Sequence, residues 1–219
     1  MNTINEIHLH DVLPDVFAGR TPQPPSDVWL RPDVTLTRPG LYLIEAASGT
    51  GKTSLVSFIT GQRTDYAGTI RLNHDDARTL RPALWTQLRQ RHLSLVHQEL
   101  RLFPELTVWD NLMVKAQLTR SAATATIAAW LDRVGLADKR DAPVGRLSLG
   151  QQQRVALVRA LCQPFDVLLA DEPVSHVDAA TAAAMAALLA DELQARRAML
   201  IATSIGQRPC LPWTQVLRL

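Results

Sequence analysis

Four short apolar runs recur along the chain: LYLIEA (41–46), LSLVH (93–97), DVLLAD (166–171) and AMLIAT (198–203). Runs of this length without a polar face suit strands buried on both sides, and so a parallel sheet. Between them the spacing becomes helical. Residues 151–163 set Val155, Val158, Leu161 and Cys162 on one face, with Arg154 and Arg159 elsewhere. Residues 179–197 read as an Ala-rich helix ending in Arg196 and Arg197, cations that complement its dipole. Residues 104–145 read as mostly helical, with a break near Gly135. Near the start, INEIHLHDVL (4–13) alternates around Ile7 and Leu9 and predicts an edge strand. Pro14, Pro22, Pro24, Pro25, Pro32 and Pro39 then predict turns between short strands. Strands alternating with helices argue an α/β fold.

The bulk numbers narrow this picture little. The chain has 219 residues, 47% of them hydrophobic, enough for one globular domain or a core with a subdomain. A net charge of +2 gives no reason to expect nucleic acid as a partner. Cys162 and Cys210 have no metal-ligand spacing and are expected to be reduced thiols, Cys162 packed on a helix. The start MNTINEIHLHDV lacks a signal-peptide pattern, and no apolar run is long enough to span a bilayer. A cytoplasmic protein is therefore expected.

Chemistry enters at AASGTGKT (46–53), which follows an apolar run and precedes a helical pattern. It fits the phosphate-loop pattern G-x-x-x-x-G-K-[ST], with Ala46 in place of the first glycine. Gly49 and Gly51 would let backbone N–H groups close around phosphates, helped by Ser48, Thr50 and Ser54 nearby. A helix starting near Lys52 would aim its positive end at the same anions. Lys52 would reach the β- and γ-phosphates, and the Thr53 hydroxyl would ligate Mg²⁺. A second constellation is DVLLADEP (166–173), an apolar run ending in two acids. Asp171 can hold Mg²⁺ through water, and Glu172 can polarise an attacking water.

Just before that run stands RLSLGQQQRVALVRAL (146–161). With the phosphate loop, LVHQELRLFPELTVWDNL (95–112), DEP and SHVD (175–178), all in order, the chain resembles the ATP-binding subunit of an ABC transporter. The resemblance covers nearly the whole sequence. Residues 75–98 are similar to the compact branch serving lipoprotein release and macrolide export.

The resemblance implies a P-loop NTPase core with a mainly parallel sheet. To it are added an antiparallel β part over about 1–40 and a helical signature part over about 99–147. It implies two cassettes, as a homodimer or a pair, meeting head to tail around ATP and Mg²⁺. Ser148, Gly150 and Gln151 would touch the other subunit's γ-phosphate, through a helix beginning near Gln151, and Asp178 would lie across the interface. Gln98 would approach Mg²⁺ and water, and the segment after it would face a separate integral membrane subunit. That would place the protein peripherally on the cytoplasmic face of the inner membrane. Phe17 stands near the position of the adenine-stacking aromatic, with Trp29 as the fallback.

Three positions depart from the family pattern. Ala46 adds only a methyl group where the strand enters the turn. Leu149 replaces a signature glycine; it is costly if the position needs positive φ and harmless if it has helix-entry dihedrals. Ser204 replaces a histidine that would contact the γ-phosphate, and His176 lies on a different loop and is no substitute. ATP binding with slow hydrolysis is expected. The alternatives are an ATP-gated regulatory module with little hydrolysis, and a soluble P-loop kinase, which would have no use for LSLGQ.

Overall fold

The structure, a computed structural model, describes residues 3–19, 25–206 and 208–219, so the expected turns at Pro22 and Pro24 lie outside the described residues. Five parallel strands form the central sheet: β3 (Gly40–Glu45), β6 (Leu93–Val96), β7 (Val167–Asp171), β8 (Met199–Ser204) and β9 (Gln215–Arg218). Their order is β6-β7-β8-β3-β9. All four apolar runs lie in it. Alternate residues of one strand serve opposite cores. Leu168 and Ala170 of β7 pack with the helical side, while Val167 and Leu169 pack toward the other sheet. That two-sided burial is why the runs lack a polar face.

The second sheet is antiparallel, of β1 (Glu6–Pro14), β2 (Val34–Thr37), β4 (Tyr66–Leu72) and β5 (Asp75–Asp76), in the order β2-β1-β4-β5. Two expectations are corrected here. β1 is an interior strand, paired with β2 on one side and β4 on the other. Its alternation records one buried face of an antiparallel sheet, not an edge. The antiparallel part also extends beyond residue 40, because YAGTIRL (66–72) returns to pair with β1 after the phosphate-loop helix.

Among the described residues there are six α-helices: α1 (Lys52–Ile59), α2 (Pro82–Arg91), α3 (Val108–Thr119), α4 (Thr124–Arg133), α5 (Leu149–Leu161) and α6 (Ala179–Arg196). The stretch 104–145 holds α3 and α4 with 3-10 turns after Gly135, whose φ of 66° ends that helical run. Its apolar face, with Leu112, Ile127, Trp130 and Leu131, shares one core with α5 and α6. Cys162 is buried at the C-terminal end of α5 and Cys210 is exposed; both are free thiols. Arg196 does more than complement its own helix: its guanidinium donates to the carbonyls of Leu161 and Gln163, at the end of α5.

Candidate active site

The phosphate loop runs from the end of β3 to the start of α1. Gly51 caps α1 with φ of 100°, and a Cβ there would come within 3.1 Å of Trp29 and 3.3 Å of Phe17. Both a left-handed backbone and close packing therefore require glycine. Gly49 has φ of 82° and Ser48 is exposed beside it. The Thr50 hydroxyl donates to the Ala47 carbonyl (2.9 Å) and shapes the turn. Ser54 accepts from Arg63 (3.1 Å) on the outer side of α1.

Lys52 is buried, folded back over the loop. Its ammonium donates to the carbonyls of Ala47 (2.9 Å) and Ala46 (3.3 Å) and stands 3.8 Å from Glu172. The cation thus occupies the centre of the loop, between the carbonyls and the second acid. Phosphate oxygens entering the loop would replace those weak acceptors with charged ones, a stronger pairing for an ammonium.

The acids at the end of β7 are held from three directions. The Thr53 hydroxyl donates to Asp171 Oδ2 (2.9 Å), and the Thr203 hydroxyl donates to Asp171 Oδ1. Thr203 Oγ1 also accepts from the Glu172 N–H (3.1 Å). Glu172 has φ of 53°, a left-handed conformation unusual for a side chain of its size. From below, the buried amide of Gln153 donates to the Glu172 carbonyl (3.2 Å) and to Ser175 Oγ (2.9 Å). Gln153 Oε1 accepts from the His176 N–H (3.0 Å). Gln153 and Thr203 thus fix the strained residue in place, and the residue-by-residue reading of the motifs gave neither a role. The available signal for Gln153 was a glutamine on the helical face that also carries Leu157 and Ala160, both buried.

Gln98 is exposed at the rim of a cavity of about 110 Å³ that also exposes Thr53, Asp171 and His97. Burial, with Arg101 and Arg159 nearby, pushes the His97 pKa down to about 4. Thr53, Asp171 and Gln98 offer a hydroxyl, a carboxylate and an amide oxygen, hard donors that suit Mg²⁺. Among the described residues no group of three or more His, Cys, Asp or Glu could hold a metal.

The signature stretch begins α5 at Leu149, two residues before the predicted start at Gln151. Ser148 is its N-cap, and Ser148 and Gln151 form a capping box: Ser148 N–H donates to Gln151 Oε1 (2.9 Å) and Gln151 N–H to Ser148 Oγ (3.3 Å). Leu149 takes helical dihedrals with its side chain 48% exposed, so it carries no left-handed strain. Gly150 is needed for another reason. A Cβ there would lie 2.5 Å from the His176 carbonyl, so the signature turn packs directly on the SHVD loop. Asp178 caps α6 by accepting from Thr181 N–H (2.9 Å) and Oγ1 (2.8 Å), bonds that hold its carboxyl below the usual range.

Phe17 and Trp29 both flank the loop, in different states. Trp29 is buried and its indole N–H donates to the Thr50 carbonyl (3.0 Å). Phe17 is partly exposed at the end of a 3-10 turn (Asp15–Phe17). Ser204 ends β8, buried, with its carbonyl accepting from the Ala46 N–H (3.2 Å). With Thr203 and Glu172 it lines a small crevice. The strand order therefore gathers the phosphate loop, the acid pair and position 204 at the carboxyl edge of neighbouring strands.

Residues 32–175 match the family model described as ABC transporter. The chain belongs to the ABC transporter family. This ABC ATP-binding domain is 34% identical over 178 residues to the methionine import ATP-binding protein MetN 4 of Oceanobacillus iheyensis, covering 79% of this chain and 50% of that protein. It is 38% identical over 177 residues to the L-cystine transport system ATP-binding protein TcyN of Escherichia coli, covering 76% and 70%. The macrolide export ATP-binding/permease protein MacB of Sodalis glossinidius is 34% identical over 170 residues, covering 76% of this chain and 25% of that protein. The domain spans about half the length of several of the curated relatives it matches. In fold it superposes on the dimeric structure of MJ0796, a bacterial ABC transporter cassette, with a TM-score of 0.72 at 24% identity, covering 90% and 87% of the two chains.

Proposed function

We propose that this domain binds ATP with Mg²⁺, hydrolyses it slowly, and drives a separate integral membrane subunit. The observation that carries the reading is the convergence of Lys52, Thr53, Asp171 and Glu172 at one strand edge, behind a glycine-shaped anion loop. Lys52 leaves the loop carbonyls for the β- and γ-phosphates. Glu172 polarises the attacking water, its orientation fixed by Thr203 and Gln153. Thr53, Asp171 and Gln98 would hold Mg²⁺, which supplies neutralisation of the phosphate charge. Phe17 is the stacking surface for adenine, because Trp29 is enclosed and committed to Thr50.

Ser148, Gly150, Gln151 and Asp178 serve a second cassette's ATP in a head-to-tail pair. Ser148, Leu149, His176 and Asp178 are exposed on adjoining turns, and an exposed leucine among them suits a surface that a partner covers. The membrane subunit sits against the segment after Gln98, placing the protein at the cytoplasmic face of the inner membrane; among the described residues no helix is long and apolar enough to cross a membrane. The helical part spans about residues 99–147 and the phosphate-loop core takes the remainder after the antiparallel part. The branch of lipoprotein release and macrolide export is supported by residues 75–98 and by the likeness to MacB, while importers match equally well, so the direction of transport rests with the membrane subunit.

Ser204 favours the slow-hydrolysis reading and, at its limit, a regulatory clamp that binds ATP and scarcely cuts it. The test is ATPase turnover of purified protein beside equilibrium binding of a fluorescent ATP analogue. Glu172→Gln is expected to abolish turnover and keep binding; loss of binding as well, or turnover that survives, overturns the role of Glu172. Ser204→His is expected to raise turnover, and an unchanged rate in wild type, Ser204→Ala and Ser204→His refutes the idea that position 204 limits the chemistry.

A further inference from the structure

The turn that follows α1 sends a cation back toward the phosphate loop. Gly61 has φ of 62°, and the N–H groups of Gln62 and Arg63 return to the Ser57 carbonyl (2.8 and 3.3 Å). The chain reverses there, and the Arg63 side chain runs back along α1 toward its N-terminus. Its guanidinium passes 5.4 Å from the centre of the Phe58 ring, and Nη1 donates to Ser54 Oγ (3.1 Å). Ser54 and Phe58 are one turn apart, so the arginine covers a single stripe of the helix.

Ser54 belongs to the first turn of α1. Leu55 N–H closes back on the Gly51 carbonyl (2.9 Å), so the N–H groups of Thr53 and Ser54 precede that bond and face the loop. The side chains of these two residues diverge by about 100° around the helix. Thr53 reaches Asp171, on the side where Lys52 and Glu172 stand 3.8 Å apart. Ser54 reaches Arg63, on the side of the antiparallel sheet, where Phe58 meets Tyr66 of β4 with ring centres 4.7 Å apart. The 3-10 turn that carries Phe17 is tied to the same corner: Asp15 N–H donates to the Asp65 carbonyl (3.0 Å).

The arginine arrives with its fork aligned. Nε donates to Asp65 Oδ1 (2.9 Å) and Nη2 donates to Asp65 Oδ2. That carboxylate occupies one edge of the guanidinium and leaves Nη1 turned to Ser54, with a second N–H on that nitrogen to offer. The hydrogen bonds between the two residues raise the Arg63 pKa and lower that of Asp65, so both are charged at neutral pH. Their side chains are 44% and 46% exposed, where an ion pair adds little to stability. What the pair does is aim a cation at the mouth of the loop.

We propose that Arg63, which lies outside the phosphate-loop motif, is a further nucleotide-binding residue whose Nη1 donates to the α-phosphate, with Asp65 as the residue that positions it. With the γ-phosphate beside Lys52 and Glu172 and the base on Phe17, the α-phosphate falls on the Ser54 side of the loop. A phosphate oxygen there is a stronger acceptor for Nη1 than a neutral serine hydroxyl. ATP and ADP share that phosphate, so the contact holds both alike and is unchanged when the γ-phosphate is cut away. Arg63 thus sets how tightly nucleotide is held before and after hydrolysis, and not the rate of the cut. The inference rests on the reading of the domain as an ATP-binding one and adds a residue to that site.

The test uses the full chain, with isothermal titration calorimetry for ADP and a non-hydrolysable ATP analogue beside steady-state ATPase kinetics. Arg63→Gln is expected to raise both Kd values by about five- to tenfold, and KM by the same factor, with kcat unchanged. Arg63→Lys restores the charge without the fork and is expected to recover part of the affinity. Asp65→Asn is expected to raise both Kd values by less than Arg63→Gln does. Affinities of Arg63→Gln and Arg63→Lys within about twofold of wild type overturn the proposal, even if Tm falls, because the pair would then only hold the turn. A loss confined to the ATP analogue also overturns it, since the cation would then meet the γ-phosphate. If Arg63→Gln does not fold, Arg63→Lys decides by the same criterion. Wild-type protein that binds neither nucleotide overturns the ATP-binding reading and this inference with it. Wild-type binding with unaffected variants overturns the role of Arg63 alone.

Discussion

Replacing Gln153 by leucine isolates the clamp under Glu172, the proposed catalytic acid. Leucine keeps the volume but removes two donations, to the Glu172 carbonyl and Ser175 Oγ, and the acceptor of the His176 N–H. The Glu172 carbonyl keeps a second partner in Ser175 Oγ (3.2 Å), so it is not orphaned. The His176 N–H is only partly buried, which limits its desolvation cost. The net loss is therefore about 2 kcal/mol, at the lower end of what three lost bonds and one unpaired donor can cost. For a chain of this size that lowers Tm by about 4–8 °C, readable by differential scanning fluorimetry. Function should fall further than stability. Glu172 sits at φ of 53°, and with Gln153 gone only Thr203 at its N–H and Ser175 at its carbonyl are left, among the described residues, to oppose its relaxation. Turnover at saturating ATP, measured well below Tm, is expected to drop about tenfold, while binding of the ATP analogue is unchanged. In a Glu172→Gln background the Tm loss should persist, since the bond is to the backbone. A Tm within about 1 °C of wild type together with unchanged turnover would refute the argument that Gln153 positions the acid.

Three further outcomes follow from the same geometry. Gly51→Val puts a branched side chain at φ of 100° against Trp29, and is expected to abolish ATP-analogue binding and lower Tm; retained binding by fluorescence titration would show that the loop tolerates a Cβ there. Burial pushes the Cys162 thiol up to about 12, and Cys210 is exposed, so a thiol reagent at mildly alkaline pH should titrate one thiol in the native protein and two after denaturation; two fast thiols in the native state would contradict the packing of α5. His97 has its pKa lowered from 6.5 to about 4, so the unfolded chain binds its proton first and stability is lost as pH falls through that window. Discounted for partial exposure, the loss is about 1–2 kcal/mol, and urea midpoints of His97→Gln should depend less on pH there than those of wild type; parallel curves would refute it.

Much of the candidate site was legible because it is built from contiguous residues. AASGTGKT carries its own turn and its own helix start, and Gly51 and Lys52 fall where the motif requires. The acid pair ends an apolar strand, and the alternation of strands and helices is a short-range signal that the structure bears out. Other features were out of reach of local pattern. The β1 stretch read as an edge strand because alternation reports which face is buried, and says nothing of how many neighbours pair with the strand. β4 and β9 were missed because their propensity is weak and their partners are distant: β4 returns to β1, and β9 closes on β3.

By itself, then, the sequence determined the glycine-bearing turn before α1, the acid pair at the end of a strand and the α/β class, since each follows from the geometry of a few consecutive residues. Only the tertiary structure decided what those residues do to one another. Thr53 meets Asp171 across 118 positions, and Thr203 meets it across 32, because β7, β8 and β3 are neighbours in the sheet. Leu149 carries no left-handed strain because its dihedrals are helical, and Gly150 has no room for a Cβ because the His176 carbonyl presses on it. Strand order and close approach depend on burial summed over the whole chain, and no window of local sequence contains that sum.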